Sequence, residues 1–124
     1  MCFRACSGRD DRGLSESVQW TLLSATAVLL LIGGVQTAVV LHTRTVVANA
    51  ALAGAEARAT LGGTAASASD SARAVAQHSG LTSITVDTHM SATTVTVTVS
   101  SDVPALVGIG PRHVTSTATI PREP

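Results

Sequence analysis

The sequence predicts an α+β protein in which a long N-terminal transmembrane helix continues outside the membrane and is followed by a short helix and a small three-stranded antiparallel sheet. Three observations predict this fold class. Residues 18–41 contain no charged side chain. Residues 42–60 are rich in alanine and contain no proline. Beyond residue 80 the apolar side chains recur at every second position, which is the period of a strand.

The uncharged segment 18–41 is long enough to cross a membrane. As a helix it would span roughly 36 Å, and the hydrocarbon core of a bilayer is about 30 Å thick. A buried core helix of this length would need partner helices on all its sides, and the sequence contains no second apolar helix. A cleaved secretory signal has a shorter apolar region, of about 7–15 residues. The segment therefore predicts one retained span in the cell membrane.

The extension beyond the span predicts one continuous helix that ends at Leu61-Gly62-Gly63, because alanine is the best helix former and glycine commonly terminates helices. Small and apolar side chains recur along this helix at helical spacing and form a candidate helix-packing face. Its members are Gly33, Gly34, Val46, Val47, Ala50, Ala53, Gly54 and Ala57. The alternative is a plain alanine-rich helix, and the spacing does not separate the two.

The segments divide the chain into a leader over residues 1–13, the transmembrane helix with its extension over 14–61, and a small extracytoplasmic domain over 62–124. Three arginines precede the span and two follow it within the distance that affects topology. This bias places the N-terminus in the cytoplasm and the C-terminal domain outside. Cys2 and Cys6, the only cysteines, are then reduced thiols in the cytosolic leader, and the exported part has no disulfide.

The C-terminal domain is predicted to begin with a helix from about Ala65 to His78. Ser67, Ser69 and Asp70 are cap-type residues near its start, and Ser79-Gly80 ends it. Three strands follow, over residues 81–87, 94–100 and 112–120, and each has one apolar face. Strands of this kind form an antiparallel sheet whose apolar side a helix covers. The short helix and the extension of the first helix are the two available covers.

An apolar loop over residues 102–111 joins the last two predicted strands. It has proline near both ends and contains two glycines. It either rests on the membrane surface or a partner protein, or is an ordinary loop folded over the edge of the sheet. The sequence leaves both alternatives open.

Composition and spacing exclude several classes of function. The formal net charge is zero and Phe3 and Trp20 are the only aromatic residues, so nucleic-acid binding is not expected. The four histidines are far apart and form no metal-binding pair, and no catalytic serine motif, phosphate loop or carboxylate pair is present. We therefore expect no catalytic, cofactor or metal site, no small-molecule substrate and no enzymatic activity.

The order of segments resembles the TadE-like family, whose members are pseudopilin-like proteins of the tight-adherence (Flp-type) pilus machinery. The resemblance covers most of residues 11–120, and only the order of its short motifs is specific. The motifs are Asp11-Arg12-Gly13, Val18-Gln19-Trp20, Asn49-Ala50-Ala51, Gly54-Ala55, the threonine–valine strand 94–99 and Val103-Pro104.

The resemblance implies a pilin-like fold and a function in the cell envelope. The chain would be a single-pass component of a tight-adherence pilus or secretion apparatus, and would act through contacts with other proteins of that apparatus rather than by catalysis. An alternative from another class is a membrane-tethered extracellular binding domain unrelated to pili.

The resemblance also implies a site of processing. Leaders of this kind are cut by a prepilin peptidase after a glycine, and the fifth mature residue is commonly a glutamate that pairs with the new N-terminal amine of a neighbouring subunit. A cut between Gly13 and Leu14 places Val18 at the fifth position, so the candidate partners of the amine are Glu16 and Gln19. An uncleaved TadE-like membrane protein fits the sequence equally well.

Overall fold

The computed structural model describes residues 10–103 and 113–122 and has the predicted α+β fold. The elements are α1 (Asp10–Ala59), α2 (Ala65–His78), β1 (Ile84–Met90), β2 (Thr94–Asp102) and β3 (His113–Pro121). Both cysteines of the predicted leader and most of the predicted apolar loop lie outside the described residues. The chain divides into two compact units, residues 1–35 and 36–124, and α1 contributes to both.

The first unit is described from Asp10 onward and consists of the N-terminal part of α1. The helix begins about one turn before its predicted start near Ser15, so the last residues of the predicted leader are helical. Its large apolar side chains are exposed, as Leu30 illustrates with 72% of its surface accessible. By length and composition, α1 is the one described helix able to cross a membrane. This is compatible with a single-pass membrane protein.

The hydroxyl groups in this apolar segment are satisfied within the helix. Thr21 Oγ1 donates to the carbonyl of Ser17 at 2.9 Å, and Thr26 Oγ1 donates to the carbonyl of Leu22 at 2.8 Å. Ser24 Oγ donates to the carbonyl of Thr21 at 3.0 Å. These bonds leave fewer polar groups that water would have to solvate, so the hydroxyls are compatible with a lipid environment.

The second unit has a core made almost entirely of alanine and valine. Its helices and its central strand supply the completely buried side chains, which are Val47, Ala50, Ala51 and Ala55 from α1, Ala68, Ala72 and Ala76 from α2, and Val95, Val97 and Val99 from β2. Both predicted covers of the sheet are therefore used. Because the helices contribute mainly alanine, their backbones can lie close to the sheet.

The end of α1 follows the predicted glycine stop. The helix ends at Ala59, and Gly62 adopts a left-handed conformation with φ of +83°, which glycine tolerates without strain. The N–H of Gly63 donates to the carbonyl of Thr60 at 2.9 Å. The Arg58 guanidinium donates to the carbonyl of Gly63, so a cation lies in the last turn, where it complements the helix dipole.

The structure confirms the predicted range of α2 but assigns its first cap to another residue. Thr64 is the N-cap: its hydroxyl accepts from the N–H of Ser67 at 3.1 Å, and Ser67 Oγ accepts from the N–H of Thr64 at 2.9 Å. This reciprocal pair is a capping box. Ser69 and Asp70, two of the predicted cap-type residues, lie inside the helix.

The C-terminus of α2 is closed by the predicted glycine. Gly80 has φ of +85°, its N–H donates to the carbonyl of Gln77 at 3.0 Å, and the N–H of Leu81 donates to the carbonyl of Ala76 at 3.0 Å. These two bonds make a Schellman motif. Leu81, the apolar residue that follows the glycine, packs against the core as such motifs favour.

The three strands form one antiparallel sheet in the order β1-β2-β3. Val86 of β1 lies opposite Val99 of β2, and Val97 of β2 lies opposite Ala118 of β3. Along the central strand β2, buried and partly exposed side chains alternate, so one face of the sheet is apolar. The antiparallel sheet and its one-sided character were both predicted.

The position of β1 is a correction. The strand was predicted over residues 81–87 and runs over Ile84–Met90. Leu81 belongs to the helix stop that precedes it, and the N–H of Ser91 donates to the carbonyl of Thr94 at 2.8 Å, which closes the turn into β2. The turn therefore sets the register of β1. The prediction that Ile84 and Val86 share one face is confirmed by their burial.

Candidate functional surfaces

The predicted processing site lies within α1. Gly13 is helical and exposed, and the side chain of Leu14 is outside the described set. Glu16 and Gln19 are exposed and, together with Ser15, Trp20 and Leu23, line a shallow depression on one side of the helix. The structure thus places both candidate partners of the N-terminal amine on a single face, as expected for residues three apart in a helix.

The predicted helix-packing face divides into two parts. Val46, Val47, Ala50 and Gly54 are buried, and Ala53 and Ala57 are half-buried, all within the second unit. Gly33 and Gly34 are exposed, and a Cβ atom added at either would meet no atom within 4 Å.

Gly54 shows what covers the buried part of this face. A Cβ atom there would lie 3.0 Å from the carbonyl oxygen of Ala68, 3.2 Å from Cγ1 of Val97 and 3.3 Å from Cβ of Ala72. The glycine therefore sits where α1 meets both α2 and β2, and it allows their close approach. The part of the face that lies in the second unit is therefore covered by α2 and β2 of the same chain and is not a free surface for another protein.

A polar cluster at the base of the β2–β3 connection was not predicted. His113 Nδ1 lies 3.1 Å from one carboxylate oxygen of Asp102, and Ser83 Oγ donates to the other at 3.4 Å. The His113 and Asp102 side chains are 62% and 66% exposed. The signal that reveals this pair is the register, in which Asp102 and His113 are opposite each other at the end of the hairpin.

The arrangement of this cluster does not activate a nucleophile. A catalytic serine needs its hydroxyl within hydrogen-bond reach of a base. Here Ser83 and His113 each bond to a separate oxygen of the Asp102 carboxylate, and no hydrogen bond between Ser83 and His113 is present in this described cluster. Salt-bridge and hydrogen-bond energies at such exposure are small, so the cluster closes the hairpin weakly.

The solvent side of the sheet carries hydroxyl groups, and we call it the hydroxyl face. Thr96 Oγ1 and Thr119 Oγ1 are 3.2 Å apart, and Thr98 Oγ1 and Thr117 Oγ1 are 3.1 Å apart. The face consists of Thr85, Asp87 and His89 of β1, Thr94, Thr96, Thr98 and Ser100 of β2, and Thr115, Thr117 and Thr119 of β3. It contains no aromatic residue, so it offers no stacking surface to a base or a sugar.

Histidine, cysteine and acidic side chains form no group of three that could hold a metal ion within the described ranges. His42, His78 and His89 lie on α1, α2 and β1, apart from the pair that His113 makes. The main described surfaces are therefore an apolar helix and a hydroxyl face whose charged or titratable members are Asp87 and His89 of β1.

Comparison of the chain with protein-family models, with curated proteins and with solved structures gives no match.

Proposed function

We propose that the chain is a single-pass membrane component of a tight-adherence pilus or secretion apparatus and that it acts by protein contacts. One observation carries the proposal: α1 is an apolar, exposed helix over its first unit and becomes one wall of a small α+β core in the second. A helix that serves first as an anchor and then as a core element is the organisation that the TadE-like resemblance implies.

The proposed topology places the N-terminus in the cytoplasm and the second unit outside. The arginine bias across the span supports it. Protease added to intact spheroplasts should remove a C-terminal tag and leave an N-terminal tag intact. The reverse pattern of digestion would contradict this orientation.

The proposed activity is binding and not catalysis. The only described cluster that combines a serine, a histidine and a carboxylate has a geometry that leaves the serine unactivated. The surface that remains for partners within the span includes Gly33 and Gly34, where another helix could approach closely. The proposed partners are other membrane proteins of the same apparatus.

Deletion of the gene in its native host tests the proposal. Surface pili or apparatus-dependent secretion should be lost, and the full chain supplied on a plasmid should restore them. The tagged full chain should co-purify with a secretion ATPase or with the polytopic membrane proteins that accompany it. Unchanged pili and secretion in the deletion strain, together with membrane association of the chain in the wild-type strain, would favour a membrane-tethered binding domain instead.

Processing of the leader is a separate part of the proposal. If a prepilin peptidase cuts between Gly13 and Leu14, the mature chain loses both cysteines and its mass falls by more than a tenth. Intact mass of the membrane-extracted protein, from cells with and without the peptidase, decides between the two forms. A full-length mass in peptidase-positive cells supports an uncleaved member of the apparatus.

A further inference from the structure

The two edges of the sheet differ in how they are protected. β1 packs beside α2 and has the charged residue Asp87 at its centre. β3 has no charged residue from Val114 to Pro121. Charges and covering elements are the usual means by which proteins prevent an edge strand from pairing with another chain. Among the described residues, Arg44 and Ala48 of α1 adjoin the first half of β3, and the second half, from Thr117 to Pro121, has no charged residue of its own.

The hydrogen-bond pattern identifies the backbone groups at the open edge. The N–H of Arg122 donates to the carbonyl of Thr93 at 2.9 Å, so Arg122 points its backbone groups toward β2. Because backbone groups alternate in direction along a strand, Thr115, Thr117 and Thr119 point theirs away from β2. The described residues supply no backbone partner for these three. The backbone of Pro121 also faces away from β2, so the N–H that proline lacks is not needed for a hydrogen bond between β2 and β3.

We propose that β3 pairs with β3 of a second copy of this chain, in antiparallel orientation about a two-fold axis at Thr117. Thr117 then faces its own equivalent, and Thr115 faces Thr119 of the second copy. The two three-stranded sheets become one continuous six-stranded sheet. The proposal is independent of the pilus assignment.

Charge and side-chain chemistry favour a second copy as the occupant. Pairing about a two-fold axis places the central residue opposite its own equivalent, which a neutral strand tolerates and a strand with a central aspartate does not. The threonines of β3 would meet threonines across the new pair, as Thr117 and Thr119 already meet Thr98 and Thr96 of β2. A shared membrane also raises the local concentration of copies.

The apolar side of β3 gives a further reason. Ala118 and Ile120 are only partly buried against the core, although Val95 and Val97 beside them on β2 are completely buried. A strand added at this edge would remove more of their apolar surface from water. Burial at the edge is thus incomplete in one copy and more complete in a pair.

Cysteine cross-linking of the full chain in its membrane tests the proposed register. In a Cys2→Ser, Cys6→Ser background, Thr117→Cys should form a disulfide-linked dimer, because the paired Cα atoms would be about 5.5 Å apart. Thr115→Cys alone should not, because its equivalent would lie about 14 Å away along the strand. Thr115→Cys and Thr119→Cys expressed together should cross-link.

Thr98→Cys is the matched control. Thr98 is also on the hydroxyl face, but its strand β2 is already paired with β1 on one side and β3 on the other, so a second copy cannot pair with it. Cross-linking at residue 98 as fast as at residue 117, or at 115 alone as fast as at 117, would overturn the proposal. A Thr117→Cys adduct with a different protein in place of a second copy would also overturn it.

A proline substitution tests the backbone contribution. Thr117→Pro removes an N–H that points to the open edge, so the dimer measured in detergent should be lost while thermal unfolding of the second unit still occurs cooperatively. Thr117→Val is the control, because it removes the hydroxyl and keeps the N–H; it should retain the dimer. A Thr117→Pro chain that stays dimeric and folded would contradict pairing through β3.

Discussion

The two parts of α1 have the same backbone conformation but differ in the burial of their apolar side chains. In the first unit, leucines dominate and are exposed, with Leu30 at 72%. In the second unit, alanine, glycine and valine form one face, and Val47 is completely buried. A helix that is apolar on all sides needs lipid around it, whereas a helix with one small-residue face needs a close protein neighbour. Side-chain size therefore separates the two environments within a single helix.

The largest effect should come from charges in the leucine-rich part. Replacing Leu29 and Leu30 together with arginine costs about 3 kcal/mol per residue in membrane insertion. The protein should then leave the carbonate-washed membrane fraction. Leu52→Arg is the control, because Leu52 is 47% exposed in the second unit. If the double variant stays in the membrane as firmly as the control does, the span lies elsewhere.

The same substitution in the two parts should have unequal effects. Gly54→Leu forces side-chain atoms into contact with the carbonyl of Ala68 and the side chain of Val97. Overpacking of this kind lowers the free energy of unfolding by about 1–3 kcal/mol, and the higher helix propensity of leucine offsets about 1 kcal/mol of that loss. Urea unfolding of the second unit, followed by circular dichroism, should shift to lower concentration. Gly34→Leu should leave the urea midpoint unchanged, because a side chain at residue 34 has no neighbouring atom within 4 Å of its Cβ.

Equal unfolding midpoints for Gly54→Leu and Gly34→Leu would mean that α1 does not pack in the second unit. Gly54→Ala sharpens this test, because one added methyl group already lies 3.0 Å from a backbone oxygen. We expect a smaller loss than for leucine.

Loss of the N-cap should destabilise α2, which packs against α1 at Gly54. Thr64→Ala removes the acceptor for the N–H of Ser67 and should lower the free energy of unfolding by about 1 kcal/mol. Ser69→Ala, within the helix, is the control and should be close to neutral. The same urea titration measures both, and a larger loss at residue 69 would refute the assigned cap.

The smallest effect is expected at the base of the β2–β3 connection. Asp102→Asn weakens the contact with His113, but both side chains are well exposed, so the free energy of unfolding should fall by less than about 1 kcal/mol. A loss comparable to that of Gly54→Leu would show that the hairpin base contributes to the core.

The sequence was sufficient for α2 because its apolar stripe and following glycine act locally. The sequence was insufficient for the start of β1. Leu81 fits the alternating pattern of a strand, but its N–H donates to the carbonyl of Ala76 and closes the C-terminus of α2. The structure buries Val46, Val47, Ala50 and Gly54 of the predicted packing face within the chain, together with Ala51 and Ala55, which the prediction did not include. Spacing along a helix does not say which surface covers it. The pair of Asp102 and His113 depends on the strand register, which neither residue reveals alone.

The burial of Thr43, with 2% of its surface exposed, sets the practical boundary of the folded unit. A soluble fragment cut at Gly62, where the sequence suggests a domain boundary, would lack the whole α1 wall of the core and should not fold. A fragment that starts a few residues before Thr43 keeps that wall. Because a chain is synthesised from its N-terminus, the α1 wall of the core is made before the strands that pack against it.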